Sequence, residues 1–166
     1  GENKDNTLSS SVLSSYVKLC TNTTYSFELS YPKDWFTTYN NPEEQCLHFA
    51  PFSFILPPVP DEDITPVTIR VIKNEDWETS VAENELPSEL WSVSSSENIQ
   101  VDGKAVEKIK YVSTGESKPK GFVKVSYLIY NSKSPLVLTY TQSEDKEDIA
   151  KNLDIVEEIV KSLKFY

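Results

Sequence analysis

Apolar and polar residues alternate where the chain first shows order: Tyr25, Phe27, Leu29 and Tyr31 fall on one face and Ser26, Glu28 and Ser30 on the other. That is the period of two of a strand covered on one side. Pro32 has no N–H to donate and ends the ladder. Lys33-Asp34 supply a turn, and Trp35 is expected to re-enter the core as the anchor of a returning strand over 36–39. Residues 17–39 therefore read as strand, hairpin-like corner, strand. The period of two returns in PVTIRVIK, with Val67, Ile69 and Val71 on one face, and in GFVKVSYLIY, where Val123, Val125, Tyr127 and Ile129 alternate with a mixed outer face. NSKSP turns the latter into LVLTYTQ, a hairpin. In IQVDGKAVEKIKYV two arms flank Asp102-Gly103, a pair that tolerates positive φ and predicts a type I′ turn.

Two segments carry a helical period instead. Ile149, Leu153, Val156, Val160 and Leu163 recur at steps of four and three, a stripe that must pack on a sheet. Ser143 or Thr141 is the expected cap, with acids in the first turn and Lys161 and Lys164 in the last. A shorter helix is predicted over 74–85, capped by Asn74, with Trp77 and Val81 on one face and Pro87 ending it. Between these elements, 46–54 suits one or two short strands. Pro51 and Pro57-Pro58-Val59-Pro60 make 55–66 an irregular excursion, and 88–98 is Ser-rich and ambiguous, with Leu90 and Trp91 docking. The sum is an α+β fold: a central, mostly antiparallel sheet of six or more strands with a C-terminal helix packed on it.

This order resembles the PsbP-like (Mog1/PsbP) fold family. The likeness is carried by YSFELSYPKDW, PVTIRVIKNEDWETSV, VDGKAVEKIKYV, VSYLIYNSKSPLVLTYT and IVEEIVKSLKFY, which together span residues 25–166. The resemblance implies an α/β/α sandwich and a non-enzymatic adaptor role. Its branches comprise extrinsic photosystem II subunits, a Ran-binding nuclear protein, and secreted or lipid-anchored bacterial proteins of unknown function. The cysteine pair and the Pro-rich excursion depart from the photosynthetic pattern, and with the Ser-rich start they are closer to the secreted bacterial branch.

Composition narrows this picture. Residues 1–16 are rich in Ser, Asn and Asp without a period and read as a flexible leader or tether, leaving 17–166 as one domain. The 26 acidic against 16 basic residues give a net charge of −10, which argues against nucleic acid or an anionic membrane as partner and leaves an unknown protein partner, or calcium, compatible. No apolar run approaches the roughly 18 residues of a membrane-spanning helix. Cys20 and Cys46 flank the first strands, and short segments folded side by side would bring them together as a disulfide. The alternative is two separate buried thiols of a cytosolic protein. The bridged reading is the one expected, and it favours an extracytoplasmic location, secreted or held by a lipid anchor.

Candidate chemistry is thin. With one His and four Gly, and no G-x-S-x-G, H-E-x-x-H or phosphate-cradling fingerprint, no catalytic residue and no cofactor is expected. Cys46 and His48 would share a strand face, but a bridged Cys46 is no nucleophile. The run Asp61, Glu62, Asp63 lacks the spacing of a calcium loop and reads as a solvated turn, so no metal site is assigned. Together with Trp77 and Trp91 it forms a candidate interaction surface, against the plainer reading of both indoles as core. Asn22-Thr23-Thr24 matches the N-glycosylation pattern. A hydrolase using a surface carboxylate pair and a Ran-binding-type regulator with reduced cysteines are the alternatives.

Overall fold

The computed structural model describes residues 16–39, 41–58 and 64–166. Along the chain run β1 (Val17–Asn22), β2 (Phe27–Pro32), β3 (Phe36–Thr37), β4 (His48–Ala50), β5 (Val67–Val71), a 3-10 turn (Asn74–Asp76), α1 (Trp77–Glu85), β6 (Trp91–Val101), β7 (Lys104–Ser113), β8 (Val123–Ile129), β9 (Leu136–Thr141), α2 (Ile149–Ser162) and β10 (Lys164–Phe165). All pairings are antiparallel. They build a three-stranded sheet ordered β1-β2-β10 and a seven-stranded sheet ordered β3-β4-β5-β9-β8-β7-β6. The expected leader lies outside the described residues except for Tyr16, whose carbonyl accepts from Lys33 N at 2.8 Å.

Strand alternation decides how the layers stack. Phe27, Leu29 and Tyr31 of β2 face Val125, Tyr127 and Ile129 of β8 and Leu136, Leu138 and Tyr140 of β9 in one core, which the stripe Ile155, Val156, Ile159 and Val160 of α2 completes. The opposite faces of β7, β8 and β9 present Ile109, Tyr111, Leu128 and Val137, and these pack with Trp91 and with Trp77 and Val81 of α1. The result is the expected α+β sandwich, with helices on both sides of the large sheet.

Several elements differ from expectation. Trp35 is buried, as predicted, but the corner is not a hairpin: β3 pairs with β4 in the large sheet rather than returning on β2. Pro32 offers no donor, and its carbonyl accepts from Trp35 N at 3.0 Å, so the chain leaves the small sheet there and crosses to the large one. The middle helix starts late, because the Asn74 amide donates to the Ser132 carbonyl instead of capping and the first turn winds as 3-10. The Ser-rich segment 91–101 is an eleven-residue edge strand with a bulge between Val93 and Ser95. The cap of α2 is Asp148, whose carboxylate accepts from Lys151 N at 3.1 Å. Ser143 instead donates its N–H and hydroxyl to Glu147 one turn earlier. Lys164 falls beyond the helix, in β10.

Candidate functional site

The cysteines close first. Cys20 and Cys46 form a disulfide with Cα atoms 5.9 Å apart. Cys46 has φ of 66° and precedes β4 rather than sharing a strand with His48, so the thiol–imidazole pair does not arise. His48 is 8% exposed, with Nδ1 3.3 Å from the Thr65 hydroxyl and Nε2 3.7 Å from Glu44. Burial lowers its pKa and outweighs the opposing pull of Glu44. Asn22 is fully buried beside the bridge: its amide donates to Gln45 O and its carbonyl oxygen accepts from Tyr25 N, each at 2.8 Å. The glycosylation triplet is therefore spent on structure.

Of the candidate interaction surface, Asp61, Glu62 and Asp63 lie outside the described residues. Trp91 is 8% exposed and Trp77 half-buried, its ring 5.8 Å from that of exposed Tyr130. One pair of carboxylates does meet. Burial raises the Glu107 pKa, and a hydrogen bond with Glu85 at the end of α1 raises it further, while Ser96 donates to Glu107 at 3.0 Å and opposes both. Carboxylates in direct hydrogen-bond contact are closer than the roughly 5 Å that glycoside hydrolysis needs across its substrate. Among the described residues, no group of three or more His, Cys, Asp or Glu is arranged to hold a metal ion.

The open part of the large sheet holds a different constellation. Because side chains alternate, Thr68 and Arg70 of β5, Thr139 and Thr141 of β9, and Lys124 and Ser126 of β8 all point away from α2. Registers Thr68↔Thr139 and Thr139↔Ser126 set the hydroxyls of Thr68, Thr139 and Ser126 in a row across three strands, and Ser126 Oγ lies 3.0 Å from Thr139 Oγ1. α1 covers only one end of this face. Beside it a basin of about 230 Å³ is lined by these residues together with Trp91, Asn84 and Lys118. Among the described residues no carboxylate lines it. Lys124 Nζ sits 4.8 Å from the Trp91 ring centre and 4.5 Å from that of Tyr111. The Tyr111 hydroxyl, pushed up to about 12 by burial, donates to Asn84 O at 2.5 Å and pins the last turn of α1 at the rim. The loop bearing Lys118 is fastened by Ser113, which donates to Lys118 O at 2.7 Å.

No family model and no curated protein matches the chain. Solved structures do. Cyanobacterial PsbP from Synechocystis sp. PCC 6803, in solution, is similar over 91% of this chain and 93% of that one, with TM-score 0.49 and 13% identity. A crystal structure from Bacteroides thetaiotaomicron VPI-5482 is similar over 84% of this chain, with TM-score 0.43 and 14% identity, and the chain spans 45% of that protein's length. The first belongs to the family whose pattern the sequence resembles. The fold assignment itself rests on the order of the strands and the packing of the closing helix.

Sequence reading missed Arg70, Lys118 and Lys124 as a group. Arg70 stands on β5, Lys124 on β8 and Lys118 on the loop between β7 and β8, and only the alternation of PVTIRVIK, VKVSY and LVLTYT hinted that Arg70, Lys124 and the threonines would face the same way.

Proposed function

We propose that this chain is a non-enzymatic binding or assembly module of PsbP-like type, working outside the cytoplasm, and that it engages an anionic group of its partner in the basin beside α1. The observation that carries this reading is the grouping of Arg70, Lys118 and Lys124 over a shelf of hydroxyls in a chain of net charge −10. Like charges repel an anion from most of such a surface, so a concave spot of opposite sign concentrates it. The non-catalytic part draws support from the sole imidazole and both thiols, which are engaged in the fold. The bridge also supports an oxidising compartment, secreted or lipid-anchored, and removes the reduced cysteines on which a Ran-binding-type regulator would rest. The test is an amide NMR titration with acetate, succinate, inorganic phosphate and sulfate at fixed ionic strength. Saturable shifts confined to the basin for at least one anion, lost in Arg70→Glu, are expected; no saturable shift for any of them would overturn the reading.

A further inference from the structure

The shape and charge of the basin specify more than an anion, and the ligand class they select rests on the binding reading of the same site. We propose that its ligand is a tetrahedral dianion, the phosphate group of a monoester. Three cations, Arg70, Lys118 and Lys124, border one small volume. A single carboxylate would match one of them, whereas a dianion is balanced by the guanidinium and an ammonium together. Lys118 and Lys124 already have partners within the chain, so binding is an exchange of partners, and an exchange favours the ligand with the higher charge density. Arg70 is exposed on β5, where its planar fork can present two N–H groups to two oxygens.

The floor adds a shape requirement. Thr68 and Thr139 are register partners on neighbouring strands, which stand about 4.8 Å apart, and Thr141 follows two residues along β9 on the same face. These hydroxyls form a triangle, and each can turn its proton toward a ligand, Thr139 when Ser126 is the donor of the hydrogen bond they share. A planar carboxylate has about four acceptor sites, but all lie in its own plane, so standing edge-on over the floor it cannot aim at all three corners of that triangle. A tetrahedral ester places three oxygens toward the floor and guanidinium while its fourth, bearing the ester carbon, leaves through the open mouth.

The titration series tests this. At pH 7.5 and constant ionic strength, inorganic phosphate and sulfate should each bind at least about tenfold more tightly than acetate or succinate, the order of one charge-assisted hydrogen bond. Phosphate should weaken as the pH falls to 5.5 and it loses its second charge, while sulfate holds steady. Glucose 6-phosphate, close to doubly charged at this pH, should then bind more tightly than glucose 6-sulfate, a tetrahedral ester of single charge, and equal binding of the two would overturn the two-charge requirement. Arg70→Glu should weaken both inorganic dianions about tenfold or more with an unchanged melting temperature, and Thr68→Val should weaken them less. Acetate or succinate binding as tightly as the tetrahedral ions would overturn the dianion while leaving the binding face standing. No binding by any anion removes both readings. Undiminished binding in both variants would show that the ions sit elsewhere.

Discussion

Lys108 Nζ on β7 stands 2.5 Å from Glu157 Oε1 on α2, and the Tyr127 hydroxyl donates to the same oxygen at 3.2 Å. One carboxylate thus ties the closing helix to two strands of the large sheet. Burial by itself would raise the Glu157 pKa, but the hydrogen bond and charge of Lys108 outweigh it and hold the group below the usual range. A depressed carboxyl contributes stability above its unfolded value and loses it as the pH falls through the folded value. Glu157→Gln should therefore cost about 1 to 2 kcal/mol at pH 7, or roughly 3 to 6 °C in melting temperature. Calorimetry between pH 3 and 7 should show the gap to wild type closing in acid; a gap independent of pH would refute the assignment.

Glu107 has the opposite sign. Its folded pKa is raised by burial and then by Glu85, so its contribution is present below the unfolded value and lost as the pH rises through the folded one. Glu107→Gln should leave stability nearly unchanged near pH 4 and increase it at pH 8. Denaturant melts at the two pH values decide the matter, and a loss at pH 8 would contradict it.

The disulfide closes a loop with a sequence separation of 26, worth about 3 to 4 kcal/mol in the chain-entropy model. Cys20→Ser should lower the melting temperature substantially, and the wild type in reductant should match it. If thiol alkylation of native protein labels both cysteines, the bridge and the compartment drawn from it fail together.

Trp91 plugs the α1-side core, whereas Trp77 sits at its margin against Tyr130. Trp91→Ala should cost about 3 to 5 kcal/mol and Trp77→Ala clearly less. Equal, small losses would return Trp91 to the role of a surface contact.

Legibility in the sequence followed one rule: a segment was readable where burial falls on one side of a regular element. The face of β2 and the stripe of α2 meet that condition, and their residues stand where the period placed them, whereas β8 and β9 are buried on both faces around Leu128 and Val137 and were legible instead as a hairpin about NSKSP. The strand β6 does not, because it is an edge strand whose central serines are exposed, so no alternation marks it. The crossing after Trp35 was hidden because a proline turn looks alike whether the chain returns to its own sheet or joins another. The basin was hidden for a related reason: Arg70 and Lys124 reach one basin only once β9 is set between β5 and β8, and Lys118 joins them from the loop between β7 and β8.

The last strand has a temporal meaning. Phe165 pairs with Phe27, and Tyr166 N donates to the Ser26 carbonyl at 3.1 Å, so β2 waits in synthesis for a partner made much later along the chain. A nascent chain whose residues 149–166 are still inside the ribosome would keep the free margin of β2 and the apolar stripe of α2 in want of each other, a period when holding chaperones have most to protect.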